Sequence, residues 1–225
     1  MTASTTERKG SALIVGAGPG LGRALADTFA AAGHPIGLIS RDRTRLRALA
    51  GELTGPDRTV RAYPADARDA QDLRNQLTVA INDLGAPEVL IYNAAAVRQD
   101  TPRELDASTW ADAFAVNVTG AAVAADVAIS ASLGRIRSVL FTGGGFALEP
   151  SMEYTSLSAG KAALRAYAKA LAAEQRQKGV HVTVVTICGF LTPGDTRFDP
   201  ARVAQTYLDL HHQPQTQWQD EAVYT

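Results

Sequence analysis

Ala12-Leu13-Ile14-Val15-Gly16-Ala17-Gly18-Pro19-Gly20-Leu21-Gly22-Arg23-Ala24-Leu25-Ala26 decides the reading of this chain. A short apolar run passes straight into alternating glycines, after which Leu21, Leu25 and Phe29 recur at helical spacing. The order is therefore strand, glycine turn, helix. Glycine permits positive φ and close approach of main chain to a phosphate, while the N–H groups and dipole at a helix start favour negative charge. A glycine-rich turn can also be a packing device, but in this context the pattern points to a dinucleotide pyrophosphate. The expected binding segment is Gly16, Gly18, Pro19, Gly20, Leu21 and Gly22.

Outward from this turn, apolar runs at Ala12 to Val15, Pro35 to Ser40, Thr59 to Tyr63, Val89 to Tyr92, Ser138 to Thr142 and Val180 to Ile187 read as strands. Longer helix-patterned segments separate them, each able to make a right-handed crossover. Repeated strand-helix-strand units imply an α/β fold of Rossmann type, a doubly wound parallel sheet with helices on both faces. Ligands are then expected outside the carboxyl ends of the strands, where strand order reverses. Residues 190–225 differ, being rich in Pro, Gln, Thr and Asp, with one helix expected from Pro200 to His211 capped by Asp199. At most Ala222-Val223-Tyr224 adds a brief edge strand, and the tail is placed over the site or an oligomer partner.

A length of 225 residues suits a single α/β domain, and no repeat or linker divides it. With 46% hydrophobic and 20% charged residues and a net charge of -1, the composition is that of an ordinary globule and implies no nucleic-acid partner. The lone Cys188 excludes an intrachain disulfide or thiolate cluster, and four scattered histidines make a metal unexpected. Met1 to Gly10 is polar and expected to be flexible, with no apolar run of signal-peptide length. Apolar stretches elsewhere are short or broken by charge, so a cytoplasmic protein without membrane contact is expected.

The second strand ends in Ser40-Arg41-Asp42. An acidic group there would bind ribose hydroxyls of NAD, whereas a neutral residue followed by arginine accepts a 2′-phosphate. Ser40 and Arg41 thus favour NADP(H), the alternative being that Arg41 is a solvated loop charge. In either case Asp42 is placed to cap the following helix.

Taken together, these features resemble the short-chain dehydrogenase/reductase family from about Ala12 to Gly189, beginning with the spacing of Gly16, Gly20 and Gly22. The resemblance implies that Asp66, followed by Ala67, contacts adenine, and that Asn93-Ala94-Ala95-Ala96 is the asparagine-alanine motif beside the cofactor. It gives Asn117 the role of holding a water in a proton relay, and Lys161 that of binding nicotinamide ribose and lowering the pKa of a nearby tyrosine. Gly189, after Cys188, falls in the family's turn beside the nicotinamide.

Two departures accompany it. The family's tyrosine belongs one helical turn before the lysine, where this chain has Leu157, and its serine falls by spacing at Gly144. Neither side chain can protonate an alkoxide. Tyr154, seven residues before Lys161, is a candidate replacement if the helix already includes it. Thr142, Ser156, Ser158 and main-chain N–H groups of Gly143 to Gly145 are other donors near the cleft. The expected function is an NADP(H)-dependent oxidoreductase of a small carbonyl or alcohol with a non-standard proton donor. The alternative is a non-redox enzyme or a cofactor-binding pseudoenzyme. The resemblance also implies a homodimer or homotetramer built through the helices holding Trp110 to Leu133 and Leu157 to Glu174, although the alanines there could pack within one chain.

Overall fold

A computed structural model of the chain describes residues 9–132 and 134–225. Flexibility expected for the first ten residues concerns mostly residues 1–8, which lie outside that range, as does Leu133. Seven strands, β1 (Ser11–Val15), β2 (Ile36–Ser40), β3 (Val60–Pro64), β4 (Pro87–Tyr92), β5 (Ser138–Thr142), β6 (His181–Ile187) and β7 (Glu221–Tyr224), form one parallel sheet in the order β3-β2-β1-β4-β5-β6-β7. The expected strands are all present, and the brief edge strand is β7.

Alternation along the strands supplies both faces. Leu13, Val15, Leu90, Tyr92, Val139 and Phe141 point into one core with α3 (Ala70–Leu84), α5 (Gly120–Ala131) and α6 (Thr155–Gln175). Ala12, Ile14, Ile36, Leu38, Ile91 and Leu140 point into the other with α1 (Leu21–Ala31), α2 (Arg43–Leu53) and α7 (Pro200–His212). Burial on both sides explains why these strands read as unbroken apolar runs.

The tail is part of this packing. Asp199 caps α7 by accepting from the Ala201 N–H, and Val203, Ala204, Tyr207 and Leu210 complete the second core. β7 is pinned by Glu221, which accepts from Arg165 at 2.7 and 2.6 Å, pairs with Lys169 at 2.8 Å and accepts from the Thr186 hydroxyl at 2.7 Å. These partners, Arg165 foremost, hold its carboxyl down at about 2.

From Ala107 to Ala131 the chain is continuously helical: α4 (Ala107–Phe114), a π-helical turn (Ala115–Thr119) and α5. At a mean hydropathy of 1.5 this helix is long and apolar enough to cross a membrane, longer than the sequence reading allowed, but half of that stretch is buried in the protein. Ala121, Ala124, Ala125 and Ala128 are fully buried in the chain's own first core, which accounts for the apolarity and takes that face away from any partner.

Candidate active site

Sheet register places the site. Val15 is level with Ile39 on one side and Tyr92 on the other, so Gly16 and Asn93 leave the sheet together where strand order reverses, level with Ser40, the last residue of β2. Gly16 adopts φ 88°, and a Cβ there would lie 2.6 Å from Ala94 Cα, so a side chain would push the two loops apart. The Asn93 amide donates to the Gly16 carbonyl at 2.9 Å and fixes the spacing between them. At Gly22 a Cβ would lie 2.8 Å from Ala17 Cα, which is how tightly α1 docks on the turn.

Aspartates cap α2, α3, α4 and α7, namely Asp42, Asp69, Asp106 and Asp199. By contrast, α1 starts at Gly20 with no side-chain cap and no acid in its first turn. Its free N–H groups and positive dipole end are left for a ligand of negative charge. Space is open above Gly18 and Gly20, where a Cβ would meet nothing within 4 Å. Pyrophosphate thus has both charge complement and room on these residues, a fit that side chains would spoil.

A cavity of about 700 Å³ extends from this turn over the ends of β2 and β3, with Gly16, Gly18, Ser40, Arg41, Asp66, Ala67, Asn93 and Ala94 in its wall. Pro19, Gly20 and Gly22 stand outside that wall, and Leu21 lines a second cavity. Arg41 is exposed and forms no ion pair among the described residues. Asp42 does cap α2, accepting from the Arg45 N–H at 3.0 Å. Asp66 is held by Arg68, whose Nη2 and Nε donate at 2.7 and 3.0 Å and keep its carboxyl below the usual range. Arg68 also reaches Asp112 at 3.4 Å, so it orients the wall's acidic groups. Sequence reading passed Arg68 over, because an arginine two residues past the motif resembles any loop charge.

The second cavity, about 660 Å³, lies over the ends of β5 and β6 and shares Asn93, Ala95 and Val97 with the first. Lys161 is buried in its wall and donates from Nζ to the Thr142 carbonyl at 2.6 Å, and burial pushes its pKa down to about 8. Leu157, one turn earlier, and Gly144 line the same space. Gly189 is also in the wall, packed so closely on Phe198 that a Cβ would come within 2.7 Å of the ring. The Thr142 hydroxyl is paired with the Tyr207 hydroxyl at 2.8 Å, both buried.

Tyr154 is not brought to Lys161. The helix begins at Thr155, so Tyr154 stands before the first turn, stacks on Phe146 at 5.4 Å and is absent from both cavity walls. Ser156 and Ser158 are used in holding that helix start: Ser156 donates to Asp100, and Ser158 donates to the Tyr154 carbonyl at 2.8 Å and accepts from the Ser151 N–H at 3.1 Å. Asp100 further accepts from the Ser156 N–H at 3.0 Å, a cap supplied by a distant loop that no local pattern reveals. Asn117 is fully buried in the π-helical turn, a conformation frequent at functional sites. Its Oδ1 accepts from the Ala96 N–H at 3.0 Å, while its Nδ2 has no partner among the described residues and abuts Gly160, next to Lys161.

Comparison with known proteins identifies the family and the fold. A family model described as short chain dehydrogenase matches residues 11–202. The chain is 27% identical over 190 residues to 2,3-dihydro-2,3-dihydroxybenzoate dehydrogenase of Bacillus subtilis, covering 84% of this chain and 70% of that one. Among solved structures it superposes on a short-chain dehydrogenase from Rhodopseudomonas palustris with a TM-score of 0.85 at 24% identity, covering 96% of this chain and 98% of the other. A metagenomic short-chain oxidoreductase in complex with NADP gives 0.84 at 22% identity over 97% and 98%. The chain belongs to the short-chain dehydrogenase family of oxidoreductases.

Proposed function

We propose that this chain is an NADP(H)-dependent oxidoreductase that interconverts a carbonyl and an alcohol and protonates the oxygen by a group other than the family's tyrosine and serine. The observation that carries this reading is a pair of adjoining cavities that share Asn93, Ala95 and Val97. One holds Ser40 and Arg41 beside the cap-free glycine turn, and the other holds the buried amine of Lys161. The exposed guanidinium of Arg41 beside neutral Ser40 favours a 2′-phosphate, to which arginine bonds in two-pronged fashion. In this reading Asp66, which Arg68 orients, would meet the adenine, and Lys161, whose amine bonds the Thr142 carbonyl, the nicotinamide ribose.

When bound, NADPH supplies the hydride, so that ketone, NADPH and a proton give alcohol and NADP⁺. Leu157 and Gly144 have no side-chain donor, Tyr154 lines neither cavity, and Thr142 is engaged with Tyr207. We assign the proton to the Lys161 ammonium, the buried cation of this wall, which spends one of its three protons on the Thr142 carbonyl, or to a water. Asn117 contributes by fixing the Ala96 loop against Gly160. Leu157 at the tyrosine's position also favours a second reading, a non-redox enzyme or a cofactor-binding pseudoenzyme on the same fold.

Absorbance of NADPH at near-ultraviolet wavelengths, followed over a panel of aldehydes and ketones with product quantified, separates the two. Consumption matched one to one by alcohol supports the oxidoreductase; tight binding without consumption supports the second reading. A homodimer or homotetramer remains part of the proposal. With the alanine face of α5 already buried, contacts would fall on the half-buried Val123, Ile129 and Tyr167, and light scattering of the purified protein tests the state.

A further inference from the structure

The second cavity has an unusual division between floor and mouth. At its floor, the Thr142 hydroxyl is paired with Tyr207, the Asn93 amide with the Gly16 carbonyl, and Lys161 Nζ gives one proton to the Thr142 carbonyl. Its mouth is exposed and, apart from Glu149, largely apolar. Val97, Leu148 and Phe190 line it with relative exposures of 69%, 43% and 80%, and they are half of the large exposed hydrophobics among the described residues. Large apolar side chains left in water and gathered at one opening mark a binding surface.

We propose that this cavity takes a neutral carbonyl compound carrying a bulky aryl or alkyl group, its oxygen at the Lys161 end and its apolar part against Leu148 and Phe190. The proposal rests on the oxidoreductase reading and narrows its substrate class. Four features of the site carry it. The Thr142 and Asn93 donors are engaged within the protein and most of the wall is apolar, so the several hydroxyls of a sugar or polyol find few partners, and burying unpaired hydroxyls is costly. Glu149, exposed at the mouth, repels an anionic substrate on entry. The volume of about 660 Å³ is in the range of sites for drug-sized ligands and leaves space beyond a nicotinamide ring. Finally, the apolar rim lies in the wall of the same cavity as Lys161, so one molecule can span both.

The test uses the full chain and three probes followed by ligand-observed NMR and calorimetry, with and without NADPH: 1-acetonaphthone (neutral, aryl), dihydroxyacetone (neutral, polar) and phenylglyoxylate (aryl, anionic). The expected result is binding of 1-acetonaphthone at least about tenfold tighter than either of the others, a difference of about 1.4 kcal/mol. A Leu148→Asp, Phe190→Asp double variant should lose that advantage while its NADPH affinity and circular dichroism stay as in the wild type. Equal or tighter binding of a polar or anionic probe overturns the proposal, as does undiminished ketone binding by the double variant. If the double variant changes oligomeric state and keeps its ketone affinity, the mouth is a contact between copies and the proposal fails. Ketone binding without any NADPH binding would sink the cofactor reading and leave the apolar site standing.

Discussion

Lys161 gains its properties from neighbours that have none of their own chemistry. Its amine is buried beneath α6, against the Thr142 carbonyl at the end of β5, and burial disfavours the charged form, which brings its pKa to about 8. The ammonium form therefore predominates below about pH 8 and is lost above it. If it protonates the product oxygen, kcat for carbonyl reduction should be level near neutrality and fall about tenfold per pH unit above 8. A rate that is flat to pH 10 would assign the proton to water. Leu157→Tyr places a phenol one turn before Lys161 and should raise the rate and make it less dependent on the lysine; no gain would mean that the cavity has been reshaped beyond the loss of an acid. The glycine turn, Asn93 and Lys161 stood out because their residue types fall at a local spacing, and the structure brings Gly16, Asn93 and Lys161 to the cavity walls. The failure of Tyr154 was legible only in part: Pro150 and Ser151 hint at a nearby helix start, but whether it falls before or after Tyr154 depends on Asp100.

Among the elements, the start of α6 is the one most dependent on a distant residue. Asp100 caps it from 56 positions away and receives both the N–H and the hydroxyl of Ser156. Asp100→Ala should cost about 1–2 kcal/mol of stability, the usual worth of a cap. It should also lower kcat by loosening the turn that presents Leu157 and Lys161. Denaturant unfolding measures the first effect, and an unchanged midpoint would deny the cap its role. Such links explain which elements the sequence made visible. Strands buried on both faces announce themselves as apolar runs, and α2 and α7 as patterns behind an aspartate, whereas Asp100 and Glu221 look like surface acids until the fold brings Ser156 and Arg165 to them.

At the scale of the whole molecule, the scattered histidines gather at the amino ends of the strands, opposite the site. His211 contacts the Ser138 hydroxyl at 2.7 Å, lies 3.7 Å from Glu88, and stacks edge-on against His34 at 5.3 Å; His181 lies between the Leu210 and Gln219 carbonyls and against Trp218. Burial lowers the pKa of His34 and His181 and takes that of His211 to about 3, with Glu88 opposing the shift at His34. Their folded values lie below the unfolded 6.5, so below that pH the unfolded chain binds more protons and stability falls as pH falls. Each group contributes up to about 1.4 kcal/mol per pH unit. The melting temperature should accordingly drop from pH 7 to pH 5, less steeply in His211→Phe; Glu221 adds no loss until pH approaches its unfolded value of 4.5. A melting temperature constant over that interval would contradict this account of the cluster.

The central claim is that the cleft holds NADP(H), and calorimetric titration of the protein with NADPH and NADH, repeated on Arg41→Ala, tests it most directly. The account predicts NADPH binding at least about tenfold tighter than NADH, the worth of a charge-assisted contact to the 2′-phosphate, and loss of that preference in Arg41→Ala. Binding of neither nucleotide, or a preference for NADPH that survives the substitution, would contradict it.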